Sequence, residues 1–164
     1  MQDMSRRRTT LIAAAIVAIA AAILLGMGRN PICTCGELDL WVGTRDGLNS
    51  FRDNEFTTYT TKDGLANNFI GAIYEDSKSN LWVGTLGGLS KIKDGKFQTF
   101  TTKDGLSSNT VISLYEDAAG DLWIGTNGGG LNRLRADRFI SFTNRNALAA
   151  DVIYRILEDK QQNL

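Results

Sequence analysis

Short apolar stretches alternate with polar, glycine-rich turns from residue 38 onward, and the alternation repeats at a fixed interval. The phrase Leu-Trp-Val/Ile-Gly-Thr occurs with its tryptophan at Trp41, Trp82 and Trp123, so the period is 41 residues. A period of this size is typical of one supersecondary unit copied in tandem. Helix-length runs with apolar residues at 3.6 spacing are missing from this region, which disfavours a helical repeat.

Each copy of the unit predicts four short strands. An apolar stretch ending in Glu-Asp occupies residues 70–76, 111–117 and 152–159. The first two stretches precede a tryptophan phrase, and the phrase itself is the second strand. A third strand begins at a leucine after the glycine-rich turn, and a fourth begins at a phenylalanine eight residues later. The turns between these last two strands include Asp94-Gly95, a pair that favours the type I′ hairpin.

Four antiparallel strands in about 40 residues are typical of a propeller blade. The sequence therefore predicts an all-β fold, an incomplete β-propeller of about three four-stranded blades after an N-terminal transmembrane or signal helix. A fourth tryptophan would be due just after Leu164, so we expect residues 38–164 to be repeats truncated at the C-terminus. The strand at 152–159 could close the first unit, but a ring takes at least about four blades. We expect an open arc whose exposed blade edges favour self-association.

The first residues have a different character. Residues 1–8 include three consecutive arginines and predict a cytoplasmic basic segment, and residues 9–28 carry no charge. Twenty apolar residues in a helix span about 30 Å, which matches the hydrocarbon thickness of a bilayer. We interpret residues 9–28 as an uncleaved signal anchor, with a cleavable signal peptide as the alternative, and residues 29–37 as a linker. Either interpretation sends the repeats to the periplasm or the exterior.

Composition excludes several classes of chemistry. The chain has 18 basic and 18 acidic residues, so it lacks the basic character of a nucleic-acid-binding protein. It contains no histidine, which excludes a histidine phosphoacceptor, general base or metal ligand within it. Its two cysteines, Cys33 and Cys35, lie in the linker rather than in the repeats. We expect no cofactor, no metal site and no catalytic residue.

The third copy carries the most complete motif. Residues 104–131 contain Asp-Gly-Leu-Ser-Ser-Asn, an apolar strand, Glu-Asp, Gly-Asp-Leu-Trp-Ile-Gly-Thr and Gly-Gly-Gly-Leu. This pattern resembles the two-component regulator propeller repeat, and residues 63–89 carry it with a few substitutions. The resemblance implies seven-bladed propellers in the periplasmic part of large sensor proteins. A membrane span and a cytoplasmic output follow in that family, often a histidine kinase and sometimes a diguanylate cyclase, and some members sense carbohydrate fragments.

The resemblance implies that the chain is the N-terminal fragment of a membrane-anchored, periplasmic, ligand-sensing propeller of a signal-transduction receptor. Its ligand would be an extracellular small molecule or oligosaccharide, and the fragment itself would not be an enzyme. One alternative is an exported binding or adhesion propeller without a signalling output. Another is a fragment of a propeller lyase or glycosidase, since fold alone does not exclude catalysis.

Residues that occupy the same position in every copy predict scaffold. We interpret the tryptophans as inter-blade core rather than a sugar-stacking platform, the glycines as points of close strand approach, and the aspartates as turn caps. These positions are Trp41, Trp82, Trp123, Gly43, Gly84, Gly125, Asp76, Asp117 and Asp159.

Positions that differ between copies are better candidates for ligand contacts. The turn between the second and third strands varies most and carries Arg45, Asp46 and Asn127. The loops that join one unit to the next carry Asn68 and Asn109. We expect both kinds of loop on the same face of the propeller, where these five polar side chains are candidates to bind a polar ligand.

Overall fold

The computed structural model describes residues 40–146 and 148–159. The predicted basic segment 1–8, membrane span 9–28 and linker 29–37 lie outside the described residues. Within the described part of the chain, no helix is long and apolar enough to cross a bilayer.

The described residues form three antiparallel sheets, each a meander in chain order, which confirms the all-β prediction. The first sheet has three strands and the other two have four each. One short 3₁₀ helix, Thr102–Asp104, follows the second sheet. The strands are β1 Leu40–Gly43, β2 Leu48–Arg52, β3 Glu55–Tyr59, β4 Ile70–Glu75, β5 Leu81–Thr85, β6 Gly88–Lys93, β7 Lys96–Phe100, β8 Val111–Glu116, β9 Leu122–Thr126, β10 Leu131–Arg135 and β11 Arg138–Phe142.

Tight turns join the last two strands of every sheet, as the sequence predicts. Asp94 and Gly95 have φ values of 48° and 74°, the left-handed pair that a type I′ turn requires. The third sheet makes the same turn, with φ values of 48° at Ala136 and 60° at Asp137, although the left-handed conformation is unfavourable for alanine. The twist of this turn matches that of the flanking strands, which fixes the register of each hairpin.

The predicted strand at residues 152–159 is wrong as a strand. Val152 makes an isolated bridge to Asn127, and residues 153–159 carry no regular secondary structure. The equivalent stretches become strands because they pair with the tryptophan-bearing strand that follows, β4 with β5 and β8 with β9. The five residues given after Asp159 contain no fourth tryptophan phrase, so they offer no counterpart of β5 or β9.

Two hydrophobic cores lie between successive sheets. Between the first and second sheets, the fully buried Leu48 and Val83 pack with Leu65, and Trp41 packs against them. Between the second and third sheets, Trp82 packs with Val111 and Ile124 in a cluster that draws on both. The sheets are therefore stabilised by stacking on their neighbours rather than by cores of their own.

Glycines permit this stacking. A Cβ atom added to Gly84 would approach Val111 Cγ1 to 2.6 Å, and one added to Gly43 would approach Ile70 Cγ2 to 2.6 Å. Each of these glycines lies on the tryptophan-bearing strand and faces the first strand of the next unit. Close approach of the two backbones is what the absent side chain allows.

Candidate functional site

Two kinds of loop meet on one side of the sheets. We call this side the loop face; it comprises the turns at residues 44–47, 85–88 and 126–130 and the loops at 60–69, 101–110 and 143–151. Backbone hydrogen bonds join the two kinds: Leu86 N–H donates to the Phe69 carbonyl at 3.3 Å, and Asn127 N–H donates to the Thr110 carbonyl at 2.9 Å. The sequence expectation that both lie on the same face is confirmed.

The threonine of the tryptophan phrase closes each turn of the loop face. Thr85 Oγ1 donates to the Gly88 carbonyl at 2.7 Å and accepts from Gly87 N–H at 3.1 Å. Thr126 makes the same pair of bonds in the third sheet and, like Thr85, is fully buried. Sequence reasoning assigned no role to this threonine, although its repetition was the available signal.

The longer loops are held from both ends. The carboxylate of Asp104 accepts from the N–H of Thr101 at 2.8 Å and from its hydroxyl at 3.0 Å, which closes a capping box. These two hydrogen bonds lower the pKa of Asp104 below its ordinary value. Asp63 makes the same bonds to Thr60 in the preceding loop. The backbone of the loop face is thus fixed by side chains that repeat.

Asn68 and Asn109, two of the predicted ligand contacts, also hold these loops. Asn68 Oδ1 accepts from Thr61 N–H, and Asn109 Oδ1 accepts from Thr102 N–H, both at 2.8 Å. Each amide oxygen is therefore engaged with the loop backbone. A role in ligand binding stays a prediction for both residues.

Arg45, Asp46 and Asn127 present exposed side chains on the loop face. The Arg45 guanidinium carbon lies 5.8 Å from the centroid of the Phe69 ring, next to Asn68 in sequence. The backbone carbonyl of Asn127 accepts from the Ser108 hydroxyl at 3.2 Å, next to Asn109. The structure thus brings the five predicted residues together as two groups, one beside each loop that joins successive sheets. Hydrogen bonds of Thr44 and Thr126 close their turns and their side chains differ, which suits recognition of a polar ligand.

On the opposite side, the aspartates of the Glu-Asp pairs cap turns and hold the tryptophans. Asp76 Oδ1 accepts from Lys78 and Asn80 N–H groups at 2.9 and 2.8 Å, and its Oδ2 accepts from Trp82 Nε1 at 2.8 Å. Asp117 holds Trp123 in the same way at 2.7 Å. Burial raises the pKa of Asp76, but the hydrogen bonds from the indole and the loop outweigh it and place the pKa below the ordinary 3.8. Asp159 is the last described residue and is exposed.

Two of the adjacent glutamates, Glu116 and Glu158, reach the preceding sheet instead. The Glu116 carboxylate accepts from Ser77 N–H at 2.7 Å and from Ser77 Oγ at 2.9 Å. Glu158 accepts from the Tyr115 hydroxyl at 3.1 Å and from Ala118 N–H at 3.2 Å. Burial, together with the bond to Glu158, raises the pKa of Tyr115. Adjacent side chains on an extended segment point to opposite faces, which is why one carboxylate serves its own unit and the other its neighbour.

The tryptophan rings are covered rather than open. Trp82 is 5% exposed, packs 5.9 Å from Phe100 between ring centroids, and has Lys91 Nζ 5.2 Å from its centroid. Trp123 is 9% exposed and stacks on Phe142 at 5.8 Å. A sugar ring needs an accessible aromatic face, so these two residues do not offer a stacking platform.

Other chemistry is sparse in the part of the chain that the structure describes. That part contains no group of three or more His, Cys, Asp or Glu residues able to hold a metal ion. A groove of about 230 Å³ lies away from the loop face, on the hairpin of β6 and β7. It is lined by Lys91, Lys93, Asp94, Lys96, Phe97 and Gln98.

Two segments with this geometry match a known family. Residues 64–87 and 105–128 match the two component regulator propeller family, and each segment runs from a long loop through the tryptophan-bearing strand into the next turn. These segments are two-component regulator propeller repeats. The matched segments include Asp76 and Asp117, which hold the indoles of Trp82 and Trp123, and the close-approach glycines Gly84 and Gly125.

Solved structures with related folds include two extracellular domains from B. thetaiotaomicron, both assigned to hybrid two component systems. The first is 29% identical with a TM-score of 0.65, over 74% of this chain and 18% of that one. The second is 25% identical with a TM-score of 0.64, over 76% of this chain and 20% of that one. Virginiamycin B lyase from Staphylococcus aureus, at 15% identity and a TM-score of 0.55, covers 73% of this chain and 41% of its own and shares the fold alone.

A shorter similarity connects the chain to a curated protein. The UPF0314 protein of Sphingopyxis alaskensis is 65% identical over 34 residues, which is 21% of this chain and 18% of that protein. The chain thus spans a fifth or less of that relative and of the two extracellular domains.

Proposed function

We propose that the chain is the N-terminal, extracellular part of a ligand-sensing propeller in a signal-transduction receptor. The observation that supports this most is the 29% identity, over 74% of the chain, to the extracellular domain assigned to a hybrid two component system. The match to the two component regulator propeller family agrees with it. Residues 9–28 would anchor the chain in the membrane and leave the repeats outside.

The ligand would bind on the loop face. Turns closed by the hydroxyls of Thr44 and Thr126 present exposed side chains that differ between copies, and a repeated scaffold with variable tips is how such folds obtain specificity. Arg45 and Asp46 offer a cation and a carboxylate side by side, and Asn127 offers an amide. These groups suit a polar ligand rich in hydroxyl or carboxylate groups, such as an oligosaccharide.

Binding without turnover fits the described carboxylates better than catalysis does. Asp76 and Asp117 accept hydrogen bonds from indoles and turn amides, and Glu116 accepts from the preceding sheet. A glycosidase needs two carboxylates that flank one scissile bond, one to protonate the leaving oxygen and one to attack or to activate water. In the intact receptor, the ligand would act by binding one arrangement of the sheets more tightly than another.

Binding to immobilised oligosaccharides tests the proposal. The full chain in detergent is applied to an array of neutral and uronate-containing oligosaccharides, and the dissociation constant is measured for the best binder. Arg45→Ala or Asn127→Ala is expected to weaken binding by about tenfold, which corresponds to about 1.4 kcal/mol. Lys96→Ala, in the groove on β6 and β7, serves as the matched control and should bind normally. Unchanged affinity in both loop-face variants would refute the site.

Two further measurements separate the rival functions. Mass spectrometry of the bound oligosaccharide after incubation should recover it intact, whereas shortened or unsaturated products would favour a propeller lyase or glycosidase. The reading frame downstream of Leu164 tests the signalling part. A second membrane span followed by a kinase or cyclase supports a sensor, and an exported protein without either supports the adhesion alternative.

A further inference from the structure

The groove on the hairpin of β6 and β7 gathers three lysines on one face of the second sheet. Lys91 and Lys93 lie two residues apart on β6, so their side chains leave the same face about 7 Å apart. Lys96 is the register partner of Lys93 on β7, and opposed side chains begin about 5 Å apart. All three lysines line the groove together with Gln98, the register partner of Lys91. Three ammonium-bearing side chains therefore border one small volume.

The same hairpin in the other two sheets has an acid among its cations. Like charges directly opposite each other destabilise a sheet, so the two opposed lysines are unfavourable by themselves. In the first sheet the equivalent pair is Arg52 and Glu55, which have opposite charges. In the third sheet it is Arg135 and Arg138, and Asp121 Oδ1 lies 3.6 Å from Arg135 Nε. The second sheet therefore differs from both of its neighbours in how its cations are balanced.

The second sheet has a neutral residue where the third sheet has its balancing acid. Asn80 occupies the position of Asp121, 41 residues earlier, and its Nδ2 donates to Asp76 Oδ2 at 2.7 Å. That carboxylate also accepts from the indole of Trp82. Among the described residues, none of the three groove lysines forms an ion pair. Asp94 in the turn also lines the groove, which leaves three cations to one carboxylate.

One of the three lysines is held in place by the scaffold. Lys91 is half-buried, and its Nζ lies 5.2 Å from the centroid of the Trp82 ring. An ammonium group at this distance is attracted to the face of the indole, and the indole is itself fixed by its hydrogen bond to Asp76. Because Lys91 is already ordered, an anion that binds beside it loses less of its binding free energy to the ordering of that side chain.

We propose that this groove binds a phosphate group, either as the free ion or as the phosphate of a small ester. A phosphate ester carries about −1.5 to −2 charges at pH 7 and three strong acceptor oxygens, which matches three ammonium donors with an excess of positive charge. Lysine binds phosphate as a point charge. The groove volume of about 230 Å³ is below the roughly 300–1,000 Å³ of sites for drug-sized ligands, so it suits a small anion better than an oligosaccharide.

Titration calorimetry with inorganic phosphate tests the site. The full chain is held in a non-ionic detergent at pH 7, with sodium chloride matching the ionic strength of cell and syringe, and a saturable isotherm is expected. Lys93→Gln and Lys96→Gln should each weaken binding by about fivefold, because each removes one cation from a partly solvated groove. Both positions are exposed, and either substitution relieves the repulsion of the opposed pair, so both variants are expected to fold.

Lys62→Gln is the matched control for the loss of charge. Lys62 is exposed on the loop at residues 60–69, on the loop face, and the variant should bind phosphate as the parent does. No saturable heat in the parent would overturn the proposal. Unchanged affinity in both groove variants would do the same, and so would an equal weakening in Lys62→Gln.

Asn80→Asp gives the second sheet the acid that the third sheet already has. The new carboxylate should pair with the groove lysines as Asp121 pairs with Arg135, and phosphate binding should weaken by about fivefold. Thr99→Asp adds the same charge at an exposed position on the other face of β7 and should bind like the parent. Near-UV circular dichroism checks that both variants are folded. A folded Asn80→Asp variant with parental affinity would contradict the proposal.

Titration with glycerol 3-phosphate separates the two sources of the phosphate group. Tighter binding of this ester than of inorganic phosphate assigns the groove to phosphate esters, such as small metabolites or lipid headgroups, and the reverse order assigns it to the free ion. Lys96→Gln should weaken both ligands, and ester binding that it leaves unchanged would refute the groove as the site. Oligosaccharide binding at the loop face should be the same with and without phosphate, so each proposal can fail while the other holds.

Discussion

Strands β1 and β5 begin with the same four residues, Leu-Trp-Val-Gly, and have very different surroundings. Leu81 and Val83 of β5 are 7% and 0% exposed, whereas Leu40 and Val42 of β1 are 57% and 37% exposed. The difference comes from the neighbours, because β5 lies between β4 and β6 while β1 pairs with β2 alone among the described residues. Burial in this repeat is a property of the stacked array and not of the strand itself.

The largest expected difference in stability comes from placing a carboxylate on β5 in one variant and on β1 in another. Val83→Asp should destabilise the chain by at least about 3 kcal/mol, because an unpaired carboxylate is buried between two sheets. Val42→Asp should cost less than about 1 kcal/mol, because the side chain of Val42 is 37% exposed. Urea unfolding of both variants measures the difference. Equal losses would show that β1 is buried by residues outside the described part.

An intermediate loss of stability should come from Asp117, which accepts a hydrogen bond from the indole of Trp123. Asp117→Asn removes a charged acceptor of Trp123 Nε1, and we expect a loss of about 1 kcal/mol after allowing for solvent screening. The folded-state pKa of Asp117 lies below the ordinary 3.8, since hydrogen bonds from the indole and the loop outweigh the opposing effect of burial. The stabilisation is therefore complete above pH 3.8 and is lost as the pH falls through the lower, folded-state pKa.

Unfolding of the parent chain and Asp117→Asn from pH 7 to pH 2 measures this dependence. The two free energies of unfolding should converge at the acid end. Asp137→Asn, in an exposed turn, is the control and should track the parent throughout. A gap that persists unchanged at pH 2 would mean that the carboxylate charge does not contribute.

The smallest effect should come from the contact between sheets at Glu116. Glu116→Ala removes both acceptors of Ser77, and the expected loss is about 0.5–1 kcal/mol because the site is partly solvated. Hydrogen exchange should show it more clearly, with the Ser77 amide exchanging up to about fivefold faster. Glu55→Ala, on an exposed position of β3, should leave that amide unchanged. An unchanged Ser77 amide in Glu116→Ala would argue against the contact.

Local features of the fold could be predicted from sequence, and features that depend on partners could not. The type I′ turn at Asp94-Gly95 follows from two residues, and the strands of the second and third sheets follow from apolar stretches bounded by turns. The segment 152–159 has the same apolar pattern and is not a strand, because a strand also needs a paired neighbour. Pattern alone cannot show whether that neighbour is there.

The candidate site also combines features that the sequence predicts with contacts that it does not predict. The common face of the two loop types follows from strand alternation, so it could be predicted. The engagement of Asn68 and Asn109 with loop amides depends on how each loop folds back over seven residues. Glu116 meets a residue 39 positions earlier, in another sheet. Repetition of the Glu-Asp pair is visible in the sequence but could not indicate the partner of the glutamate.

The two carboxylates of each Glu-Asp pair have a consequence for how such arrays change length. In the third sheet, Asp117 holds the tryptophan of its own unit and Glu116 binds the sheet before it, so one segment carries both contacts. A duplicated segment therefore brings its own side of the contact with the preceding sheet. Deletion of a whole segment likewise leaves matching sides at the new boundary. Gain or loss of whole units in the gene needs no compensating substitution at the new boundary, so we expect blade number to vary more readily among related proteins than blade sequence.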